Sequence, residues 1–193
     1  MDKVKFSAAH LGAHRLQRNS YIPLRLIFTF CLFLPTVVFA EELLEYQVKA
    51  AYILNFTKFI DWQPEAFSQP DSPIEICILG GNPFRKALDQ TVAGETVHGR
   101  KVTVRQINEV PASKSCQALF IGKTEKDVVK ILTSLPPGIL TIGETQTFIK
   151  DGGVIAFVIE NRHVRFLIRQ AVAESAGLKI SSRLLNVAKA VEK

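Results

Sequence analysis

The sequence predicts an α/β fold: a mixed, mainly parallel sheet with helices on both faces, preceded by an N-terminal amphipathic helix and ending in a β-hairpin and two helices. Three observations carry this. From Leu43 to Trp62, apolar residues recur at three- and four-residue steps, the period of a helix with one buried face. Between Ile74 and Ile142, short apolar runs rich in β-branched residues alternate with helical stretches and Gly/Pro turns. Between Val154 and Ile168, two such runs are separated by four polar residues, the mark of a hairpin.

Taken in order, the first helix presents Leu44, Val48, Ala51, Tyr52, Phe56, Phe59 and Ile60 on its apolar face. Gln63-Pro64 and the turn-rich stretch 68–73 end it. A strand over Ile74–Leu79 leads into Gly80-Gly81-Asn82-Pro83, where Asn82 reads as a helix cap and Pro83 as the first helical residue. That helix runs to about Val92. Strands follow over Val102–Ile107 and Ala118–Ile121. Thr124 then caps a helix to about Leu135, with Glu125 and Asp127 placed to suit the helix dipole. Ile139–Ile142 is a strand and Gln146–Lys150 a short helix. Val154–Ile159 and Val164–Ile168 form the hairpin around a four-residue loop, Glu160 to His163, and add an antiparallel edge to the sheet. Arg169–Ser175 and Ser182–Val191 are the closing helices, parted by Gly177 and the short run Leu178-Lys179-Ile180.

Ahead of this body lies a different kind of segment. Residues 1–25 are polar and basic, Leu26–Ala40 is an apolar run broken by Pro35, and Glu41-Glu42 follows at once. Val38 and Ala40 supply the small residues of a signal-peptidase site, so 1–40 reads as a signal peptide cleaved after Ala40. The run falls short of the roughly 20 residues a bilayer span needs. The mature chain, 41–193, is expected to be one exported domain with no stable membrane insertion. A retained anchor is the alternative. Of 24 basic and 18 acidic side chains, five basic residues and Asp2 lie in the leader, so the remainder is nearly neutral. That composition excludes a disordered chain and offers no basic footprint for nucleic acid.

Of three cysteines, Cys31 leaves with the leader. Cys77 and Cys116 remain, an even pair that reads in an exported chain as one disulfide. Cys77 lies inside the first strand and Cys116 just before a later one, which permits a bridge if those strands are neighbours. Two buried thiols that never meet are the alternative. His98 and His163 offer no metal-ligand spacing, so neither a metal nor another cofactor is expected. Ile121-Gly122-Lys123-Thr124 resembles the end of a phosphate-binding loop, but Gln117 stands where the loop needs glycine. No dinucleotide fingerprint or serine-nucleophile elbow occurs, and no catalytic residue is assigned. Two binding readings remain. Gly80, Gly81, Asn82 and Arg85, at a strand-to-helix turn, form a candidate anion or metabolite site, with a plain turn as the alternative. Arg162, Arg165 and Arg169, with His163, form a basic surface for an acidic partner, or an edge charged to discourage strand pairing.

Three segments resemble the YfiR family of exported bacterial regulators: Lys49–Trp62 (KAAYILNFTKFIDW), Val97–Ile121 and Gly152–Ala188. The resemblance covers nearly all of the mature chain. It implies a periplasmic α/β protein without enzymatic activity that represses an inner-membrane diguanylate cyclase (YfiN-like), lowering cyclic-di-GMP and biofilm formation. It further implies release of the cyclase by an outer-membrane lipoprotein (YfiB-like), and a homodimer. Cys77 and Cys116 match one disulfide of the best-known member. A second cysteine pair near the end of that member's domain has no counterpart here.

Overall fold

The computed structural model describes the backbone from Leu34 to Lys193 and the side chains from Glu42 onward, Ser113 aside. The predicted leader up to position 33 lies outside the described residues. The compact unit Phe39–Lys193 holds the fold.

The first helix, α1 (Leu34–Lys58), is followed by a two-residue strand, β1 (Ile60–Asp61). Then come β2 (Ile74–Leu79), α2 (Ala87–Val92), β3 (Thr96–Val97), β4 (Arg100–Ile107), β5 (Ala118–Ile121), α3 (Val128–Ser134) and β6 (Leu140–Gly143). The chain closes with β7 (Ile155–Glu160), β8 (His163–Arg169), α4 (Gln170–Ser175), β9 (Lys179–Ile180), α5 (Ser182–Val187) and β10 (Ala190–Glu192). Eight strands form one sheet in the order β10-β8-β7-β6-β5-β2-β4-β3. Neighbours are parallel except at β7/β8 and β3/β4. The mixed, mainly parallel α/β fold is therefore as the sequence predicts.

Strand alternation divides the interior in two. Ile76, Ile78, Phe120, Ile142 and Phe157 pack on one face against Tyr46, Ala50, Ile53 and Phe56 of α1. Cys77, Leu79, Leu119, Ile121 and Ala156 face the other way, toward Val128, Ile131 and Leu132 around α3. Helices thus cover both faces. On the α1 side, Phe56 meets Phe157 and Phe166 at centroid distances of 5.7 and 4.9 Å. Edge-on and offset contacts of this kind add to simple burial.

Several local expectations are corrected. Leu44 and Val48 are exposed, Leu44 by 60%, and Ala51 is exposed too. The stripe that α1 buries is Tyr46, Lys49, Ala50, Ile53, Leu54, Phe56 and Thr57. Apolar residues nearly encircle this helix, so periodicity alone does not choose its inward side. The helix also stops at Lys58, because Ile60–Asp61 pairs antiparallel with Lys179–Ile180 and Ser181 donates to the Phe59 carbonyl at 2.9 Å. Tertiary strand pairing here overrides a helical pattern. Pro35 is the second residue of α1, a first-turn position where proline is tolerated, and the part of the apolar run before Leu34 lies outside the described residues.

The helix foreseen from Pro83 begins only at Ala87, and that foreseen from Thr124 begins at Val128. Arg85 and Asp127, with φ of 55° and 54°, interrupt the helical path just before each start. Gln146–Lys150 is a succession of turns. The hairpin loop is two residues long, Asn161-Arg162, both left-handed as a type I′ turn requires, with Glu160 paired to His163. The last helix ends at Val187, and β10 then pairs parallel with β8, so the hairpin is not the last strand on its side.

The loop between β6 and β7 is set by Phe148, which is buried between two glycines. A Cβ on Gly143 or on Gly153 would enter the Phe148 ring. Gly153→Ala is expected to lower stability by about 1–3 kcal/mol through overpacking, read as a lower urea midpoint. Gly81→Ala, where a Cβ meets nothing within 4 Å, should change it by less than about 0.5 kcal/mol.

Candidate functional site

The carboxyl ends of β2, β5 and β6 meet the middle of α1 around one buried ion pair. Glu144, the residue after β6, is 3% exposed at its side chain and faces Lys49, 4% exposed, at 2.6 Å. The same carboxylate accepts from the Tyr46 hydroxyl at 3.1 and 3.2 Å and from the Lys123 backbone N–H at 3.0 Å. Lys49 also pairs with Glu45 one turn earlier, and its ammonium lies 4.5 Å from the Tyr46 ring centroid. Burial, reinforced by the Glu144 charge and hydrogen bond, pushes the Tyr46 hydroxyl well above the ordinary phenol range. It therefore stays protonated and donates at any physiological pH. A buried carboxylate is tolerated only when so completely partnered.

Beside this cluster opens a cleft of about 290 Å³, lined by Glu42, Tyr46, Asn82, Lys123, Thr124 and Glu144 among others. Gly81 and Asn82 of the predicted anion site line it. Arg85 and Gly80 are not among its lining residues. Asn82 closes the turn onto itself, accepting from the Phe84 N–H at 3.0 Å and donating to the Arg85 carbonyl at 3.4 Å. The Glu125 carboxylate occupies the space a side chain at Gly80 would need. With Ala87 as the first helical residue, the helix-start geometry on which the anion reading rested is not formed, and an acid closes the loop instead.

The basic cluster is also divided. Arg165 is exposed on β8; beside the Lys189 hydrogen bond, its charge helps hold the Glu160 carboxyl below its ordinary range. The Arg169 guanidinium turns inward and donates to the Ile149 carbonyl at 2.9 Å. Arg162 occupies the hairpin turn. His163 is exposed, with Nδ1 2.7 Å from the Asn161 carbonyl.

At the opposite end of the sheet, Cys77 and Cys116 form a disulfide with Cα atoms 5.8 Å apart. It is possible because β2 and β5 are parallel neighbours. Glu75 stands over it and accepts from Arg105 at 3.0 and 2.8 Å and from the Ser115 hydroxyl at 2.7 Å. Arg105 Nη2 lies 4.0 and 3.9 Å from the two sulfurs. Burial pushes the Glu75 carboxyl up, but the Arg105 and Ser115 hydrogen bonds and the guanidinium charge outweigh it, so the group titrates below its ordinary range. Glu75, Cys77 and Cys116 are the described donors that converge as metal ligands would. Their sulfurs are spent on each other, and a guanidinium already lies among them. Neither ion cluster was foreseen, although a lysine in the apolar stripe of α1 was a readable signal.

Two outcomes follow from these clusters. Lys49→Met is expected to cost about 3–5 kcal/mol by stranding the Glu144 charge, and Lys49→Met with Glu144→Leu to recover much of that, as measured by urea unfolding. Glu75 titrates lower folded than unfolded, so its contribution is complete above its ordinary value of 4.5 and fades as pH falls through the folded value. Arg105→Gln should therefore flatten the fall of Tm below about pH 4.5.

Among solved structures, the chain is similar to a conserved domain protein from Vibrio cholerae O1 biovar eltor str. N16961. The TM-score is 0.44 at 11% identity, over 62% of this chain and 55% of that one. It is also similar to an ABC domain in complex with L-Trp from Streptococcus pneumonia, with a TM-score of 0.41 at 13% identity, over 66% of this chain and 57% of that one. The chain spans a little over half the length of each. No curated protein matches it. The family model described as YfiR/HmsC-like matches residues 46–189, from the buried Tyr46 of α1 to the threshold of β10. The chain belongs to the YfiR/HmsC-like family, a regulatory family of periplasmic cyclic-di-GMP signalling.

Proposed function

We propose that residues 1–40 are an export signal removed after Ala40, and that the domain 41–193 acts in the periplasm as a homodimeric repressor. Its target is an inner-membrane diguanylate cyclase of the YfiN kind, and an outer-membrane lipoprotein of the YfiB kind releases it. The family match over 46–189 carries this reading. Among the described residues no helix is long and apolar enough to cross a membrane. The buried pair Lys49–Glu144 and the half-buried pair Arg105–Glu75 are engaged in holding helices and strands together. Repression works by binding the inactive cyclase more tightly than the active one. A ~100-fold fall in the active fraction takes ~2.7 kcal/mol of differential affinity.

A second reading is favoured by the cleft. Ligands of parallel α/β sheets bind at the carboxyl ends of the strands, where Asn82, Lys123 and Thr124 gather. A small metabolite there would tune repression through α1, whose Tyr46 forms one wall.

Deleting the gene is expected to raise cyclic-di-GMP and surface-attached growth, with restoration by the wild-type chain. Unchanged cyclic-di-GMP under all growth conditions would overturn the repressor reading. For the cleft, a thermal-shift screen should return a stabilising metabolite whose effect is lost in Lys123→Ala and kept in Arg85→Ala.

A further inference from the structure

The sheet is closed unequally at its β8 side. β7 pairs with all of β8, whereas β10 reaches only Leu167, Ile168 and Arg169. Within an antiparallel pair, successive residues turn their backbone groups to alternate sides. Arg169 donates to the Val154 carbonyl on the β7 side, and the Phe166 carbonyl accepts from Lys189 on the other. Residues 163, 165, 167 and 169 therefore bond toward β7, while 164, 166 and 168 face outward. The Val164 N–H and C=O and the Phe166 N–H consequently point away from the sheet with no strand opposite them among the described residues.

The side chains along this gap are sorted by face. Val164 and Phe166 pack toward the α1 core. His163 and Arg165 stand exposed on the other face. The acid beside them, Glu160, pairs with Lys189 at 2.7 Å and also feels the Arg165 charge, so one carboxylate answers two cations and the edge keeps an excess of positive charge. We propose that this open length of β8 is a docking edge for an extended partner segment that adds a strand and carries acidic side chains at alternate positions. Apolar side chains between them would extend the Val164/Phe166 face.

The same charges argue against a second copy of this chain as the occupant. Antiparallel pairing about a two-fold at Val164 would set His163 opposite Arg165 of the other copy, basic against basic. An acidic strand meets the Arg165 charge with the opposite sign, and main-chain bonds supply the attachment, as in other strand-addition complexes. This inference deepens the repressor reading by naming the chemistry of the bound segment. It is tested without any cyclase, so its failure would leave that reading intact.

The probe is an end-capped octapeptide alternating Glu and Val, with a Lys/Val octapeptide as control, and the readout is amide exchange by NMR. The Glu/Val peptide is expected to slow exchange of the Val164 and Phe166 amides at least tenfold, and the Lys/Val peptide to leave them unchanged. In Arg165→Glu, an exposed substitution that should leave the fold intact, the preference should reverse. The proposal is overturned if neither peptide protects these amides, or if both protect them equally. It is also overturned if they are already protected in the free protein, whether by its own chain or, with dependence on protein concentration, by a second copy.

Discussion

A lysine ammonium cannot be buried without an anion, and this constraint fixes how α1 sits on the sheet. The helix carries apolar side chains on more than one side, with Leu44 and Val48 on one and Tyr46, Ile53 and Phe56 on another. Hydrophobic burial alone could be satisfied by either. Rotating the helix to bury Leu44 and Val48 would pull Lys49 from Glu144 and leave a carboxylate stranded at the end of β6. Burying an ion pair gains little net stability, because desolvation consumes most of the attraction. Its role here is selection: one rotation of α1 satisfies Glu144, and the aromatic contacts of Phe56 with Phe157 and Phe166 follow from it.

The two ends of the sheet are consequently built for different work. At the amino ends of β2 and β5, Arg105 bridges Glu75 and Ser115 beside the disulfide. Gln117 adds a clasp, accepting from the Glu75 N–H at 2.8 Å and donating to the Ala66 carbonyl at 2.7 Å. That end is cross-linked covalently and by polar bonds. At the carboxyl ends, the Glu144 cluster lies under a cleft edged by loops, and Glu42 and Lys123 approach to 3.8 Å at the surface. An exposed ion pair of this kind contributes little. Change is therefore cheaper at this end, next to the helix whose seating depends on it.

Strand positions were legible because buried parallel strands need continuous apolar runs. Ile74–Leu79 and Ala118–Ile121 were read with their observed limits. The cysteine pair was legible for the same reason, since two strands placed correctly put both thiols at one end of the sheet. What failed was whatever depends on partners distant in sequence. Ile60–Asp61 is a strand only because Lys179–Ile180 lies beside it, and Ala190–Glu192 only because β8 offers an edge. Short helices fared worst, since Arg85 takes a left-handed conformation that its residue type does not announce, and Asp127 takes one that aspartate favours only relative to other side chains. For the candidate site, glycine and proline marked the loop bearing Gly81 and Asn82, but not that Glu125 would fill the space over Gly80. The acid–base pairs at Glu144 and Glu75 link residues 95 and 30 positions apart. Local periodicity holds no record of such distances.

The open length of β8 is also of a size that suits regulation. Three backbone groups face outward there, and a protein hydrogen bond contributes about 0.5–1.5 kcal/mol net. A charge opposite an exposed arginine adds about 1 kcal/mol or less, and salt reduces it. The sum is a few kcal/mol, of the same order as the ~2.7 kcal/mol that a ~100-fold shift of a partner's equilibrium demands. A fully open edge strand would bind more tightly and would equally invite indiscriminate pairing. β10 removes half of that edge by pairing with Leu167–Arg169, and Arg165 and His163 mark the remainder with positive charge and a titratable ring. An attachment so limited holds a partner strongly enough to bias its state and weakly enough for a competing protein to take it away.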